Sequence, residues 1–424
     1  MVGRETSRLE CVDNRIEKSM MNDSFVSGQG AAIRESQAAR KPSICFVALN
    51  AYNLLSGRED LNHIGGAEVQ QVRIAKWLKE KGYRVSFVTL DHGQPDGMDC
   101  DGIKVFKAYR KKEGIPGLRF VHPRWSGLWA AMARADAGVY YHRCAEAETG
   151  QVALWCRIHG RKFVSASAHD SDCDLKLLRE KHARIERVLY LLGVRLADGI
   201  TVQTKKQQDL FQRSMKRDTT LVRNCCWSVP EGVRPDVTSA SDRLNARALW
   251  VGRISSTSKR FEWLLDVAER CPDITFDVVG AASGNSDCMV AMVERGEQLS
   301  NVNMCGAVPY AEMAAYYRRC NILCCTSEYE GFPNTFLEAW RMGIPVVTTF
   351  DPDGIVAANG LGWVAKSIDE VEVYLKRALN SPKILAEASE AAKRYCVENF
   401  VADVCLPPLE RLFMKLAATE QVCG

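Results

Sequence analysis

Short apolar segments alternate with amphipathic segments along most of this chain, and that alternation is its strongest constraint on the fold. Helical patterns fill most of the gaps between the first strand-like segments. These segments are Ser43–Leu49, Arg84–Leu90, Ile103–Ala108, Ala137–Tyr141, Lys162–Ala168, Ile200–Gln203 and Thr220–Arg223. Alternation of this kind predicts a parallel sheet with helices on both faces.

The same alternation starts again after a polar stretch, residues 228–245, whose composition indicates a linker. We therefore predict two doubly wound α/β domains, residues 42–227 and 246–382, with a ligand cleft at the carboxyl ends of both sheets. Residues 383–424 carry two helical patterns, Lys383–Asn399 and Pro408–Thr419. The strand-like segments of the second series are Ala246–Val251, Ile274–Val279, Val302–Ala307, Asn321–Ser327 and Ile344–Thr349.

Composition excludes several classes of protein. The net charge of +4 is too small to indicate nucleic acid binding, and the 17 cysteines are scattered without paired CxxC spacing, which argues against zinc. Reduced cytosolic thiols fit this pattern. Residues 1–41 mix charges of both signs, lack the apolar stretch of a secretory signal and are predicted to be a loosely ordered extension. No stretch of about 18 apolar residues predicts a membrane span, so we expect a cytoplasmic protein.

Two glutamates eight positions apart, Glu330 and Glu338, lie between two strand-like segments. This places Glu330 in a loop leaving a strand and Glu338 about one turn into the next helix, with Pro333 suited to the helix start. The first turn of such a helix offers unpaired N–H groups to a phosphate. The pair can thus hold two ends of a nucleotide-linked substrate, although a purely structural helix can carry two glutamates as well.

Other candidate ligand groups also lie at ends of predicted elements. Gly65-Gly66 opens a helix and permits close approach of the backbone to a ligand, but it lacks the GxGxxG dinucleotide pattern. Arg253 ends a strand, and Lys259 precedes a helix; both can neutralise a diphosphate, or be ordinary exposed cations. His169 follows a strand and is predicted to face the cleft, with a structural histidine as the alternative.

Two further segments have competing interpretations. Asp170-x-Asp172 can suggest a metal site, but acidic caps before a helix are commoner and we expect no metal. Lys104–Arg124 holds seven basic residues against one acidic residue and is followed by Trp125 and Trp129. Such a segment, residues 104–129, can make a peripheral contact with the inner face of a membrane, or be a solvated loop.

In combination these residues resemble glycosyltransferase family 4. The match rests on the E-x7-E pattern from Glu330 to Glu338, Gly343-Ile344-Pro345-Val346-Val347, Gly252-Arg253 with Lys259, Gly65-Gly66 and His169-Asp170, and it covers about Ser43 to Asn399. The resemblance implies a GT-B fold: two Rossmann-like domains with a C-terminal helix crossing back to the first. It also implies metal-independent, retaining transfer of a hexosyl group from a nucleotide-diphosphate donor, without a cofactor, in polysaccharide or glycolipid synthesis.

By the same resemblance, Arg253, Lys259 and Gly66 contact the donor diphosphate, and His169 and Glu330 lie at the reacting sugar. The implied donor-sugar and ribose contacts are Phe332, Pro333, Asn334, Thr335 and Glu338. Arg260 stands where the family more usually has glycine. The donor base (UDP or GDP), the sugar and the acceptor (a glycan, a lipid or another hydroxyl compound) stay open. A nucleotide-sugar epimerase and a non-catalytic sugar-nucleotide-binding protein are the alternatives.

Overall fold

A computed structural model of the protein describes residues 41–58, 65–226, 246–255, 258–282 and 287–418. The chain divides into two compact units, Met1–Lys41 and Pro42–Gly424, and the fold below is that of the second. The predicted linker, 228–245, and all but Lys41 of the predicted N-terminal extension lie outside the described residues.

The first half of this unit is built on a sheet with strand order β3-β4-β2-β1-β5-β6-β7-β8, parallel except for the β3–β4 pair. Its strands are β1 Ser43–Val47, β2 Arg84–Thr89, β3 Met98–Cys100, β4 Ile103–Lys107, β5 Val139–Arg143, β6 Lys162–Ala166, β7 Gly199–Val202 and β8 Thr220–Leu221. The helices of this first lobe are α1 Tyr52–Ser56, α2 Gly66–Glu80, α3 Ser126–Ala135, α4 Ala147–Ile158, α5 Leu175–Lys181, α6 Arg184–Leu196 and α7 Lys205–Met215.

The second lobe is built on a fully parallel sheet with strand order β11-β10-β9-β12-β13-β14. Its strands are β9 Arg247–Val251, β10 Thr275–Val279, β11 Val302–Gly306, β12 Ile322–Cys325, β13 Val346–Thr348 and β14 Gly362–Val364. The helices that follow in the chain are α8 Phe261–Arg270, α9 Asp287–Gln298, α10 Met313–Arg319, α11 Asn334–Arg341, α12 Ile355–Ala358, α13 Ile368–Leu379, α14 Pro382–Asn399, α15 Ala402–Cys405 and α16 Pro407–Ala418.

The last two helices pack on the first lobe. Asp403 accepts a hydrogen bond from Trp77 Nε1 (2.7 Å), and Glu410 accepts one from the Tyr83 hydroxyl (3.0 Å). The ring of Phe413 lies edge-on to Tyr141 of β5, with 6.2 Å between the ring centroids. These contacts attach helices α15 and α16 to the first lobe.

The predicted fold class, two parallel-sheet α/β domains, is confirmed, and each of the twelve predicted strand segments contains a strand. Buried parallel strands read as apolar runs because both of their faces are covered. The prediction missed β3 and β14, which have three residues each, and it ended β5 at Tyr141. The strand continues through His142 and Arg143, whose polar side chains are nevertheless buried.

None of the helices in the described ranges is long and apolar enough to cross a membrane.

Close packing of α4 against α6 depends on glycine. A Cβ at Gly150 would lie 2.3 Å from the carbonyl oxygen of Leu189, and one at Gly193 would lie 2.6 Å from that of Thr149. Neither backbone oxygen can move without shifting its helix. The two helices therefore contact each other through backbone, which fixes the position of α4 behind β5 and β6.

We expect Gly150→Ala to destabilise the protein by about 2–4 kcal/mol, because the methyl group forces the two helices apart. Gly296→Ala is the matched control: Gly296 also lies inside a helix, but its added Cβ meets the flexible Met304 side chain at 2.9 Å. That variant should stay within about 1 kcal/mol of the wild type, since alanine is also the better helix former. Urea unfolding measures the free energy of unfolding of both variants. Equal losses of stability in the two would contradict the role assigned to Gly150.

Candidate functional site

A lysine and a glutamate form an ion pair where two strands of the second sheet end. Lys259 lies between β9 and α8, and Glu330 lies in the loop between β12 and α11. Lys259 Nζ donates to Glu330 Oε1, and the Ser327 hydroxyl donates to the same oxygen at 2.7 Å. The side chains are only 25% and 12% exposed, so the two charges stabilise each other largely shielded from solvent.

Both partners of this pair stay ionised. Burial by itself lowers the pKa of Lys259, but the neighbouring Glu330 carboxylate more than offsets this and raises it above the usual lysine value. Burial likewise raises the pKa of Glu330, and Lys259 with Ser327 brings it below the usual value. The site thus keeps a positive charge available inside the cleft.

Two glycines let the loops after β9 and β10 come into contact beside this pair. A Cβ at Gly280, where φ is +149°, would lie 1.8 Å from the carbonyl oxygen of Gly252. At Gly252 an added Cβ would lie 3.3 Å from Lys259 Cε. Arg253 follows and is exposed, and its side chain makes no hydrogen bond or ion pair with the described residues. Its charge acts on Lys259, which shows that the two predicted diphosphate ligands are close together.

Arg260 holds this loop rather than adding a third cation to the cleft. Its φ is +44°, a left-handed conformation, which gives a physical reason for glycine at this position in the family. The guanidinium donates to the carbonyl oxygens of Thr326 (3.1 Å) and Ser327 (3.2 Å) and to the Thr349 hydroxyl (3.1 Å). Sequence reasoning did not find this role.

The loop that carries Glu330 touches the first lobe directly. A Cβ at Gly331 would lie 2.3 Å from the carbonyl oxygen of Ala168, which follows β6. The Phe332 N–H donates to Gln203 Oε1 at 3.1 Å. The Phe332 ring packs in the core, 5.0 Å from the ring of Phe400, so its side chain is not available to a donor sugar.

Asn334 bridges the starts of two helices, α2 and α11. Its Oδ1 accepts from Gln70 Nε2 and Asn224 Nδ2, both at 3.0 Å, and its Nδ2 donates to the Gly66 carbonyl at 2.8 Å. Pro333 is the N-cap residue of α11 and is buried, while Thr335 in the first turn is half-buried. The structure therefore brings Gly66 and Asn334, both predicted donor contacts, together across the cleft.

Glu338 is surrounded by groups that sequence reasoning missed. Its carboxylate accepts from the hydroxyls of Tyr310 (3.0 Å) and Tyr317 (2.9 Å) and lies 3.5 Å from Arg73 Nη2 of the first lobe. Arg73 also donates to the Cys225 carbonyl at 2.6 Å. The one available signal was the presence of Gln70, Gln71 and Arg73 among the otherwise apolar buried positions of α2. The predicted ribose contact of Glu338 stays a prediction.

His169 lies at the carboxyl end of the first sheet, opposite Glu330. Burial lowers the pKa of His169 in spite of the nearby carboxylates Asp172 and Glu330, so its imidazole is neutral at pH 7. Its Nδ1 lies 3.3 Å from the Ser171 hydroxyl, and its ring is edge-on to that of Tyr329 at 5.3 Å. His169 and Glu330, the two predicted catalytic residues, thus face each other across the cleft.

The two aspartates of the Asp-x-Asp motif bind protein groups. Asp172 Oδ2 accepts from the N–H groups of Ala168 (2.8 Å) and His169 (3.0 Å). Asp170 pairs with Lys206 Nζ at 2.7 Å and accepts from Gln207 at 3.2 Å. Both carboxylates serve to fix the loop after β6.

A second acidic turn joins the lobes. The carboxylate of Asp353 accepts from the backbone N–H groups of Lys205 (2.9 Å) and Lys206 (3.2 Å) at the start of α7. A helix start in one lobe is thus capped by a carboxylate from the other.

Residues 245–380 match the model of a family described as glycosyl transferases group 1. The GtfA subunit of a UDP-N-acetylglucosamine–peptide N-acetylglucosaminyltransferase from Streptococcus pneumoniae is 25% identical over 194 residues, 43% of this chain. This chain spans only 37% of the length of that relative. An uncharacterized glycosyltransferase of Haemophilus influenzae is 24% identical over 352 residues, 79% of this chain and 92% of the relative. The second lobe is thus similar to glycosyl transferases of group 1.

Solved structures share the fold of this chain. Sucrose-phosphate synthase from Thermosynechococcus elongatus aligns with a TM-score of 0.73 and 16% identity over 89% of this chain and 100% of that one. HepE of Anabaena, in complex with UDP-glucose, aligns with a TM-score of 0.65 and 17% identity over 90% and 100%. At these identities the likeness shows the two-lobed GT-B fold.

We expect Lys259→Met to destabilise the protein by about 3 kcal/mol at pH 7, because Glu330 then remains buried without its counter-charge. In the wild type the lowered pKa of Glu330 gives stability that is present above the unfolded pKa and lost as pH falls through the folded one. In the variant the pKa of Glu330 rises, so the stability deficit should narrow between about pH 6 and pH 4 as Glu330 becomes protonated.

Urea unfolding at several pH values measures this deficit. The double variant Lys259→Met/Glu330→Gln should recover part of the loss, and Lys383→Met, at an exposed lysine of α14, is the control. A deficit that stays constant with pH would show that the loss has a cause other than the unpaired carboxylate.

Proposed function

We propose that the protein is a retaining glycosyltransferase, of the family 4 type, that moves a hexosyl group from a UDP-linked donor to a hydroxyl acceptor without a metal ion. The observation that supports this most directly is the buried Lys259–Glu330 pair facing His169 across the cleft. Departure of a nucleoside diphosphate builds negative charge on its oxygens. A fixed ammonium group in a shielded site can stabilise that charge.

Two helix starts add to the positive potential for the diphosphate. Helix α2 begins at Gly66 and α11 at Asn334, and neither has a side-chain cap on its first-turn N–H groups. The Gly66–Asn334 hydrogen bond holds these starts close together. Unpaired N–H groups and the helix dipole favour an anion at such a place. In this proposal Lys259 and Arg253 hold the diphosphate from the other side.

The reacting sugar lies between His169 and Glu330 in this proposal. Positive charge develops on the sugar ring as the bond to the diphosphate breaks, and the ionised Glu330 can stabilise it. The neutral His169 imidazole can hydrogen-bond a sugar hydroxyl without adding a repulsive charge. Glu338, whose carboxylate is oriented by Tyr310 and Tyr317, is assigned to the donor ribose. UDP as the nucleotide is supported by the HepE complex with UDP-glucose.

Lys259→Ala should lower UDP release from UDP-glucose by about a hundredfold or more, since one preorganised charge on the leaving group is lost. His169→Ala should lower it while leaving binding of UDP unchanged, because that side chain is assigned to the sugar. Lys383→Ala controls for general loss of positive charge.

The rate of UDP release from UDP-glucose and the affinity for UDP are measured for each variant. GDP-linked donors are assayed for comparison with UDP-glucose. Unchanged turnover in Lys259→Ala would contradict the proposal. A change in the donor sugar alone, without a glycosylated product, would instead support an epimerase, and donor binding without turnover would support a non-catalytic binder. Proton NMR of the product's anomeric centre tests retention.

We also propose that the acceptor is presented at an anionic membrane surface, reached through residues 111–121. Three large apolar side chains are exposed there: Ile115 (68%), Leu118 (63%) and Val121 (63%). Exposed basic residues adjoin them at Lys111, Lys112 and Arg119. Apolar side chains between cations suit insertion among anionic lipid headgroups.

Replacing Ile115, Leu118 and Val121 by glutamate should weaken sedimentation with phosphatidylglycerol-containing vesicles by about tenfold or more, because burial is lost and repulsion is added. Val373→Glu changes an equally exposed residue of α13 and should bind as the wild type does. Equal binding to purely phosphatidylcholine vesicles, or unchanged binding of the triple variant, would contradict this surface.

A further inference from the structure

Next to His169, on the side of the first sheet, lies a group of polar side chains that the donor site does not use. Glu68 comes from the first turn of α2, His142 from β5, and Glu146 and Glu148 from the start of α4. All four lie at the carboxyl ends of the first sheet's strands, on the opposite side of the cleft from Lys259. Asp172 links this group to His169, since it accepts from the His169 N–H and its charge acts on Glu146.

His142 is buried and has one unused nitrogen. Its side chain is 3% exposed, and its Nδ1 lies 2.8 Å from the carbonyl oxygen of Val47. Because a carbonyl can only accept, Nδ1 carries the proton. Burial lowers the pKa of His142, so Nε2 is a lone-pair acceptor at neutral pH. In the described part of the chain Nε2 has no hydrogen-bond partner, and it lies 3.8 Å from Glu146 Oε2.

The three glutamates have no lysine or arginine partner among the described residues. Glu68 folds back over Gly65, where a Cβ would lie 2.4 Å from its Oε2. Glu148 Oε1 lies 3.5 Å from the Tyr109 hydroxyl. Partial burial in the cleft, followed by the charges of Glu148, Glu68 and Asp172, raises the pKa of Glu146 to about 8, although its side chain is 53% exposed. Glu146 is therefore mostly protonated at neutral pH, and Glu68 and Glu148 carry negative charge without a lysine or arginine partner among the described residues.

We propose that His142, Glu68, Glu146 and Glu148 form the acceptor subsite, and that it selects a polyhydroxyl acceptor carrying a free amino group, such as an amino sugar. The ammonium group lies among the glutamates, and an acceptor hydroxyl donates to His142 Nε2. This proposal rests on the proposed function in one respect only: the ligand of the subsite is the acceptor of the proposed hexosyl transfer. His142 is a positioning residue, which orients the acceptor toward the sugar held beside His169.

An organic ammonium fits this group better than a metal ion does. Within the described ranges no three His, Cys, Asp or Glu side chains converge closely enough to hold a metal. The carboxylates are therefore spread around a space rather than focused on a point. An ammonium group on a sugar offers several N–H donors at such spacing, and its ring hydroxyls can reach His142.

NMR titrations without donor test the subsite. They measure the affinity of the full chain for methyl α-glucosaminide and for methyl N-acetyl-α-glucosaminide. The two sugars differ at the nitrogen, which is a charged ammonium in the first and a neutral acetamide in the second. We expect the amine to bind at least about tenfold more tightly, equivalent to about 1.4 kcal/mol. Glu68→Gln/Glu148→Gln should abolish that preference, and Glu80→Gln, an exposed glutamate at the far end of α2, should keep it. Equal affinities in the wild type, no binding of the amine, or a preference that survives the double variant would overturn the proposal.

The same titration reports on His142. The 15N resonance of Nε2, assigned with His142→Gln, should shift on saturation with the amine because the nitrogen gains a hydrogen bond. An unmoved resonance would remove His142 from the subsite. A separate titration with UDP-glucose tests the donor site, so failure of the proposed transfer and failure of the amine preference are distinguishable.

Discussion

The ion pair between Lys259 and Glu330 is the interaction on which the rest of the site depends. It joins the loops after β9 and β12, neighbouring strands of the second sheet, and it keeps both charges at a depth where each alone would be neutralised. The backbone around it is adapted to hold it. Gly252 and Gly280 let two loops touch, and Arg260 adopts a left-handed conformation that its own hydrogen bonds to Thr326 and Ser327 stabilise.

The contact between the lobes follows from the same loop. Gly331 approaches the backbone of Ala168, and Asn334 satisfies its amide with Gln70, Asn224 and Gly66. Because Gln70 and Asn224 are buried and Asn334 is half-buried, opening the cleft would expose them to water at the cost of several hydrogen bonds. Helices α15 and α16, packed on the first lobe, limit how far the second can move. In the proposed function, these contacts would hold a donor at Lys259 against His169.

The sequence predicts the architecture well because its signals are local. Strand-like runs such as Ala246–Val251 are apolar apart from Arg247 at the start of the strand, since both faces of a central parallel strand are covered. Residues at the ends of these strands, such as Arg253 and His169, could be placed at the cleft by topology alone. The short strands β3 and β14 escaped because neither lies in a continuous apolar run: β3 has an aspartate at its centre and β14 begins with glycine.

The partners across the cleft could not be predicted in this way. Arg73 and Glu338 are 265 positions apart, and nothing local in either segment specifies the other. Arg73 instead lies on the buried face of a helix that otherwise reads as apolar. A polar residue at such a position requires a partner, but the sequence does not say which one.

Charge is distributed unevenly across the cleft, and this asymmetry is itself suited to group transfer. Lys259, Arg253 and the uncapped start of α11 lie on the side of the second sheet, whereas Glu68 and Glu148 lie on the side of the first sheet. Breaking the bond to a diphosphate moves negative charge toward the first group and leaves positive charge on the sugar, facing the second. The field of the folded protein therefore favours the charge-separated state over the intact donor. A cationic acceptor would partly cancel the acidic side, but Glu68 and Glu148 would also attract it and so bring its hydroxyl to the reacting carbon.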